Sequence, residues 1–366
     1  MNAPLNEKLQ NVQWGEYRIR DLFESQNGDF DIQKSHINDV GEYVITAGLT
    51  NNGILGKTNI SAKVINGGTI TIDMFGNSFY RHFKYKMVTH ARVFSLIPKF
   101  DMSKEQGLYI VNSFKYLIFE FGYENMCSWA KIQNIKIQLP IKNGKIDFEF
   151  MESFISELEE ERISELSAYL TVSGLDNYEL SSEEKEALES YNDIMFDEYK
   201  FKDIFNNIKQ GRRLKKDDQI IGTIPFVMSG ITNTGVVGYI SNPVALFSKN
   251  SITIDIFGNS FYRNYDFGAG DDTGVYWNDE VQYSKETMLY FTAAMEKSLS
   301  GKYSYGKKLR SSQSYNFKIQ LPTKNNEIDF SYMELLISAV QKLVIKDVVM
   351  WKDKKIEATK QLVGRN

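Results

Sequence analysis

Cysteine, proline and long apolar runs are scarce in this chain of 366 residues. Its single cysteine, Cys127, cannot form an internal disulfide, which is typical of proteins from a reducing cytoplasm. The chain has no run of eighteen apolar residues, and its N-terminal segment lacks the apolar stretch of a secretory signal. We therefore expect a cytoplasmic protein that does not bind a membrane.

Motifs for catalysis are equally scarce. The six prolines never adjoin, so the chain lacks a methyltransferase motif of the Pro-Pro-Tyr type, and it has no strand–GxGxxG–helix unit. The three histidines, His36, His82 and His90, do not have the spacing of metal ligands. Segment 301–308 approaches a phosphate-binding loop, but Lys308 stands where that loop has its Mg²⁺-binding Ser or Thr. The sequence therefore predicts neither an enzyme nor a metal site.

Apolar residues make up 42% and aromatic residues 13% of the chain, which is enough for packed cores. These cores are expected in duplicate, because the chain contains an internal repeat. TIDMFGNSFYR (71–81) returns as TIDIFGNSFYR (253–263) with a single difference, and the numbering of the two segments differs by 182. The same offset pairs 134–152 with 316–334, where identity is 13 out of 19. The chain is therefore a duplication, and each copy is about half of it.

Each copy is predicted to run from strands into a helix, which makes the fold class α+β. Clusters of β-forming residues between Asn-Gly and Gly-Gly turns predict strands, and the spacing near 109–121 and 285–298 favours helices. Each copy closes with Leu-Pro, a polar turn, Ile-Asp-Phe and a long amphipathic run. The expected boundaries are 1–148 for the first β-rich domain, 149–195 for the first long helix and an acidic connector, 196–331 for the second β-rich domain and 332–366 for the second long helix.

The two long amphipathic runs carry matching apolar stripes. The stripe residues are Met151, Phe154, Ile155, Leu158, Ile163, Leu166 and Leu170 in the first run, and Met333, Leu336, Ile337, Val340, Val344, Val348 and Trp351 in the second. One interpretation is that each helix only covers its own domain. Because both runs continue past the β-rich blocks, we favour an antiparallel, coiled-coil-like pair of helices that joins the domains.

Charge is unevenly distributed along the chain, whose net charge is −4. Residues 151–198 hold 15 acidic residues and two basic ones, so the rest of the chain carries a net charge of +9. Binding to the phosphate backbone of a nucleic acid requires a basic surface, which these domains could supply. The acidic helix by itself says little, because such a helix is often only a solvent-exposed face. Within the acidic segment, Ser181 followed by Glu184 predicts a capping box that opens an ordered helix.

Two clusters of basic residues in the second copy are candidate DNA contacts. One lies at 209–216, and the other, which interleaves tyrosines and a glycine, lies at 303–310. Arginine and lysine contact phosphates or guanine edges and tyrosine donates to phosphate, but a solvated loop is the alternative for either cluster. The candidate residues are Arg212, Arg213, Lys215, Lys216, Tyr305, Lys307, Lys308 and Arg310.

The repeated block FGNSFYR is predicted to be mainly structural. Its aromatic residues suit a core, and its Gly-Asn pair suits a turn with positive φ. Its arginines, Arg81 and Arg263, are candidate DNA contacts with two alternatives: they cap a strand, or they pair with Asp73 and Asp255.

The duplicated order of these motifs resembles that of the DNA-specificity subunits of type I and type IIB restriction–modification enzymes. The order is aromatic-x-x-Tyr-x-hydrophobic-x-Asp-hydrophobic-Phe, then a β-rich variable region, Leu-Pro and a long helix. The first motif begins at Trp14 in one copy and at Phe196 in the other, so the resemblance spans nearly the whole chain. The compact length and the Ile-Asp-Phe-x-x-Met-Glu helix entry look closer to the type IIB subunits.

The resemblance implies a division of labour between subunits. Two target-recognition domains would each read one half of a bipartite site in double-stranded DNA, and the helices would set the gap between the halves. The helices would also dock methyltransferase and restriction subunits, which would carry S-adenosylmethionine, Mg²⁺ and the chemistry. This chain would then be a non-catalytic subunit with no cofactor of its own.

The first copy departs from the second at the expected contact loop. Where the second has 305–310, the first reads Tyr-Glu-Asn-Met-Cys-Ser at 123–128. Either its DNA contacts lie elsewhere, or the two half-sites differ in sequence. The candidates elsewhere are Lys84, Lys86, His90 and Arg92. We expect unlike half-sites and hence an asymmetric target.

Two other functions stay open on the sequence alone. A tandem β-rich module for carbohydrate or protein would use aromatics such as Trp129 and Trp277, and its affinity would barely respond to salt. DNA binding predicts an affinity that falls steeply with salt. An autonomous nuclease would show Mg²⁺-dependent cleavage by the isolated chain.

Overall fold

The computed structural model describes the backbone of residues 3–363 and the side chains of residues 4–359. The chain divides into two compact units, whose boundary lies between Ala168 and Tyr169. Both units combine strands with helices, so the predicted α+β class and the duplication are confirmed. Within the described part of the chain, no helix is both long enough and apolar enough to cross a bilayer.

The first unit begins with a short helix and ends in a long one. Its helices are α1 (Ala3–Asn11), α2 (Ile19–Leu22), α3 (Lys104–Asn112), α4 (Trp129–Ile132) and α5 (Phe148–Val172), the last of which runs across the unit boundary. Its strands are β1 (Gln13–Arg18), β2 (Phe23–Asn27), β3 (Glu42–Ile45), β4 (Ile54–Thr58), β5 (Thr69–Ile72), β6 (Ser78–Arg81), β7 (Tyr85–Met87), β8 (Phe94–Pro98), β9 (Lys136–Lys142) and β10 (Lys145–Ile146).

The second unit repeats this order. Its helices are α6 (Ser182–Glu189), α7 (Phe201–Ile204), α8 (Lys285–Leu299) and α9 (Phe330–Val363). Its strands are β11 (Met195–Lys200), β12 (Asn207–Gln210), β13 (Ile221–Val227), β14 (Val236–Ile240), β15 (Leu246–Phe247), β16 (Ser251–Asp255), β17 (Ser260–Arg263), β18 (Phe267–Ala269), β19 (Thr273–Trp277), β20 (Lys318–Lys324) and β21 (Glu327–Ile328).

The sheets of the two units share one topology. An antiparallel sheet has the order β2-β8-β5-β6 in the first unit and β12-β19-β16-β17 in the second. A second sheet, β4-β3-β7, corresponds to β14-β13-β18-β15, and β3 and β13 pair in parallel with β7 and β18. The third sheet, β1-β9-β10 or β11-β20-β21, leads directly into the long helix.

The main core of each unit lies between the antiparallel sheet, one helix and the first turns of the long helix. In the first unit, β5 and β8 contribute Ile70 and Leu96, α3 contributes Ile110 and α5 contributes Met151. Equivalent positions fill the second core, and they include Ile252, Phe291 and Met333. Because each buried aliphatic or aromatic side chain contributes about 1.5–3 kcal/mol, these cores position the surface loops firmly.

The long helices begin where the repeated Ile-Asp-Phe motif places them. The Asp147 carboxylate accepts the amide of Phe150 at 3.0 Å, and the Asp329 carboxylate accepts that of Tyr332 at the same distance. The aspartate therefore satisfies an amide that the first turn of a helix leaves without a partner.

The predicted apolar stripe of α9 is buried over the first turns of the helix only. Met333 and Leu336 are buried, but Val344 is 75% exposed and Val349, outside the stripe, is 1% exposed. Only the first turns of α9 face the core of the second unit, so the buried face changes along the helix. The mutual packing of α5 and α9 stays a prediction, as do the four domain boundaries.

Two shorter helices show how capping fixes element ends. The helix expected near 109–121 instead begins after Ser103, whose hydroxyl accepts the Gln106 amide, and gives way to a 3₁₀ turn at Lys115–Phe119. The capping box predicted at Ser181 is confirmed, since its hydroxyl accepts the Glu184 amide at 3.2 Å. The predicted helix at 285–298 is confirmed as α8.

Candidate nucleic-acid interface

The most similar segment of the two repeats forms a turn tied together by one buried carboxylate. Asp73 accepts the amides of Gly48, Phe75 and Asn77 at 2.8–2.9 Å, together with the Asn77 side-chain amide at 2.9 Å. Asp255 makes the same four bonds in the second unit, at 2.8–3.0 Å. Through this carboxylate, the repeated block connects the end of β5 or β16 to a neighbouring turn that contains Gly48 or Gly230.

The arginines of the repeated block lie inside the units, since Arg81 is 2% and Arg263 is 1% exposed. In each unit the guanidinium donates to a threonine of the neighbouring strand, Thr71 or Thr253, at 2.9 and 3.0 Å. Burial lowers the pKa of Arg81 to about 10, so the group stays charged near neutral pH. Their expected contact with DNA is corrected accordingly, because buried guanidinium groups are out of reach of a ligand.

The same arginines hold a strained turn. Arg81 donates to the carbonyl of Asn52 at 2.7 Å, and Arg263 donates to that of Thr234 at 2.6 Å. Both acceptor residues have positive φ, 52° and 51°, which is unfavourable for a β-branched residue such as threonine. The alternative in which these arginines pair with Asp73 or Asp255 is wrong, because those carboxylates accept hydrogen bonds from backbone and asparagine amides.

Lys86 is a third candidate that the structure places in the interior. Its Nζ donates to the carbonyl of Thr58 at 3.2 Å and to that of Ile60 at 2.5 Å, and the side chain is buried. Its expected role as a DNA contact is corrected for the same reason as that of the two arginines. The side chain instead ties β7 to the end of β4.

The other candidates lie on the surface. In the first unit these are Lys84, His90 and Arg92; the Arg92 guanidinium contacts the sulfur of Met126 at 3.0 Å. His90 is bonded to Asp31, and this hydrogen bond lowers the pKa of that carboxyl. In the second unit the exposed candidates are Arg212, Arg213, Lys215, Lys216, Tyr305, Lys307, Lys308 and Arg310. Their contact with DNA stays a prediction.

A cleft of about 760 Å³ opens in the first unit, where β2 ends, β8 begins and the segment 123–131 passes. Arg92, Tyr123, Trp129 and Lys131 are among its lining residues. The Lys131 ammonium also donates to the carbonyl of Met126 at 2.8 Å, which fixes the loop beside Arg92. Sequence reasoning missed Lys131 as a candidate because it stands alone among uncharged neighbours, and only the fold brings it to Arg92.

A cleft of about 680 Å³ opens in the second unit, at the end of β12. Its lining includes Lys209, Arg212, Phe247 and Trp277, and the Lys209 ammonium lies 5.3 Å from the centre of the Trp277 ring. Such a cation–π contact orients the lysine while its charge stays available at the surface. The basic cluster at 209–216 is therefore part of a shaped surface that also carries an aromatic side chain.

Positive charge reaches the two clefts from different strands. Lys209 and Arg212, at the end of β12, take the places of Gln26 and Asp29 in the first repeat, as the pairing of β2 with β8 and of β12 with β19 shows. Arg92 precedes β8, and the pairing of β8 and β19 with their neighbours makes Asp272 its counterpart. Two equivalent scaffolds thus carry different cations, which is the arrangement expected of a tandem protein that reads two unlike stretches of nucleic acid.

Comparisons with known proteins agree with this class. The family model described as type I restriction modification DNA specificity domain matches twice, over residues 11–168 and 194–348. The chain is similar to the specificity subunit of the type II restriction enzyme BcgI from Heyndrickxia coagulans, with 25% identity over 341 residues that cover 91% of this chain and 96% of the relative. Its fold is similar to the type I restriction–modification S subunit from M. genitalium, with a TM-score of 0.57, 15% identity and coverage of 96% and 94%.

The two matches together span most of the chain, which therefore belongs to the family of type I restriction modification DNA specificity domains. The protein is a specificity subunit of a restriction–modification system, and the tandem carbohydrate- or protein-binding module is not favoured. Both the resemblance inferred from the duplicated motifs and the two-domain α+β fold are thereby confirmed.

Proposed function

We propose that each repeat reads one half of a bipartite site in double-stranded DNA through its cleft and the adjoining loop. The observation that carries this proposal is that the two units share one scaffold but expose different cations at their clefts. The scaffold residues Asp73 and Asp255 make the same bonds, while Arg92 and Arg212 approach their clefts from different strands. A common frame with divergent side chains suits two readers of different sequence.

The long helices are proposed to space the readers and to dock methyltransferase and restriction subunits. Apolar side chains remain exposed along α9, among them Leu343, Val344 and Trp351, although the helix is anchored in its unit. Exposed apolar surface of this kind suits a helical partner.

The chemistry is proposed to reside in the partners. They would bind S-adenosylmethionine and Mg²⁺, and this chain would neither methylate nor cleave DNA by itself. The cytoplasmic location expected from the sequence belongs to the same proposal. If the isolated chain cleaved DNA in the presence of Mg²⁺, this division of labour would be wrong.

The experiment is a binding selection from random duplexes with the full chain, alone and with its co-expressed methyltransferase subunit. We expect one bipartite sequence with a fixed gap, and an affinity that falls linearly with salt on logarithmic axes. Binding that ignores salt and duplex sequence would overturn the proposal and favour a module for uncharged ligands.

A matched pair of variants sharpens the test. Replacing Lys307 and Lys308 by glutamine is expected to reduce the salt slope by about 2, at roughly 0.9 per phosphate contact. The control replaces Lys324, an exposed lysine at the end of β20, by glutamine and is expected to leave the slope unchanged. Equal slopes for both variants would remove the 303–310 loop from the interface.

A further inference from the structure

Each repeat holds an exposed tyrosine at the same place. Tyr123 and Tyr305 occupy equivalent positions of the two repeats and are 77% and 83% exposed. Exposure of this degree means that neither ring contributes to a hydrophobic core. Their retention in both copies therefore needs another explanation than burial in a core.

The loops that carry these tyrosines are seated in the same way. The amide of Cys127 donates to the carbonyl of Met74 at 2.8 Å, and that of Leu309 donates to the carbonyl of Ile256 at 2.9 Å. The side chains of Cys127 and Leu309 are both buried. Four residues before this anchor point, each chain turns outward and presents the tyrosine.

A phenylalanine of the repeated FGNSFYR block supports each tyrosine. The ring centres of Phe75 and Tyr123 are 5.0 Å apart, and those of Phe257 and Tyr305 are 6.1 Å apart. The supporting turn needs Gly76, where φ is +84° and a Cβ atom would lie 2.6 Å from the carbonyl oxygen of Leu117. Each exposed tyrosine ring therefore lies against a phenylalanine ring of the repeated turn.

The residues that follow each tyrosine differ completely. Glu124, Asn125 and Met126 in the first copy stand where the second has Gly306, Lys307 and Lys308. Side chains that change between copies suit contacts with bases, which differ between half-sites. A side chain that is the same in both copies suits contact with what both half-sites share, namely the sugar–phosphate backbone.

We propose that Tyr123 and Tyr305 are equivalent anchor residues, each donating its hydroxyl to a backbone phosphate of its own half-site regardless of base sequence. This inference rests on the proposed DNA-reading function and adds a sequence-independent contact to it. In the second unit the Lys308 ammonium lies 4.8 Å from the centre of the Tyr305 ring, so a phosphate at the hydroxyl would have a cation close by. In the first unit Tyr123 lines the cleft that also contains Arg92.

The test measures dissociation constants of the full chain in its complex with the methyltransferase subunit. The duplexes are the selected target and the same target with either half scrambled. Tyr123→Phe and Tyr305→Phe remove only the hydroxyl, so folding is preserved. Each is expected to weaken binding about tenfold on all duplexes, because a hydrogen bond to a charged group is lost. The salt slope should not change, since no charge is removed.

The control is Tyr239→Phe, which alters an exposed tyrosine of β14 that lies outside both loops and outside the lining of the second cleft. It should bind as the wild type does. Wild-type affinity in both loop variants would overturn the anchor role, and so would a loss confined to the intact target, which marks a base-reading residue. Failure of the proposed function looks different, because the unmodified chain itself would then show no salt-dependent binding to duplex DNA.

Discussion

Arg81 and Arg263 each bring a positive charge into the interior of a unit without an acidic partner among their hydrogen bonds. Their guanidinium groups bond a threonine hydroxyl on one side and the carbonyl of a left-handed turn residue on the other. A planar group with fixed donors suits two acceptors in fixed directions. The repeated block is therefore retained for its geometry, and the arginine is the centre of that geometry.

Replacing either arginine by methionine should destabilise its unit by roughly 3 kcal/mol. The apolar chain fills most of the volume, but the carbonyl of Asn52 or Thr234 and the threonine hydroxyl lose their donor in a buried place. Denaturant unfolding monitored by tryptophan fluorescence measures the change. Arg18→Met, at an exposed arginine of β1, serves as the control. Equal stability of Arg81→Met and Arg18→Met would show that the buried bonds contribute nothing.

The sequence could identify the repeated block but not the place of its arginines. Residue type and spacing are the same whether a guanidinium faces solvent or a buried carbonyl, and burial is decided by strands distant in the chain. Lys86 shows the same limit, since its acceptors Thr58 and Ile60 lie in another strand and the loop after it. Lys131 shows the opposite case, because it stands alone in the sequence and only folding brings it close to Arg92 on the surface.

At the scale of elements, the acidic connector is fixed to the second long helix. The Tyr332 hydroxyl of α9 donates to the carbonyl of Ala187 in α6 at 3.0 Å. Glu184 of α6 accepts Ser338 at 2.6 Å and Lys342 at 2.8 Å, both from α9. The local Ser-x-x-Glu pattern predicted α6 because capping is a short-range effect. Its docking on α9, which comes much later in the chain, depends on the tertiary fold.

Ser181→Ala should lower the stability of the second unit by about 1 kcal/mol, because the amide of Glu184 loses its capping acceptor. Ser182→Ala, one residue further into α6, is the matched control and should have little effect. Thermal unfolding of the full chain, followed by circular dichroism, compares the two. If both variants unfolded at the same temperature, the cap would have no energetic role.

Glu184 should make stability depend on pH. Burial raises the pKa of Glu184, but hydrogen bonds from Lys342, Ser338 and the Ser181 amide outweigh it and leave the pKa below its usual range. A carboxyl with a lowered pKa stabilises the fold above its unfolded pKa and loses this contribution as pH falls through the folded value.

The unfolding free energy should therefore decrease below about pH 5 in the wild type. Glu184→Gln should be less stable at pH 7 and show a smaller decrease, whereas Glu186→Gln, at an exposed position on α6, should follow the wild type. Parallel pH profiles for wild type and Glu184→Gln would rule out this contribution.

At the scale of the whole molecule, duplication produced two repeats that share a fold but differ in net charge. Residues 1–150 have a net charge of +2 and residues 199–366 a net charge of +7, although the chain as a whole is acidic. The constant offset between the repeated motifs was enough to predict the two-domain fold, because repeated apolar and turn residues specify repeated structure. The stripe of α9 shows where this reasoning stops, since periodicity cannot tell which neighbour covers which turn of a long helix: Val344 is exposed, whereas Val349, outside the stripe, is buried.

The charge difference has a consequence for the DNA target. Were the two repeats equivalent readers, a bipartite site would be an inverted or direct repeat. The exposed cations of each cleft, however, have no basic counterpart in the other repeat: Lys131 corresponds to Gln313, and Lys209 corresponds to Gln26. Since arginine and lysine select guanine while asparagine and glutamine select adenine, equivalent positions should select different bases.

A binding selection should therefore return two unlike half-sites. Replacing segment 302–310 by the sequence of segment 120–128 should change only the half-site of the second unit, because the buried frame beneath the loop is common to both repeats. The matched control is the reverse exchange, which should change only the half-site of the first unit. A palindromic target for the unmodified chain would show that the exposed cations of the clefts do not read bases.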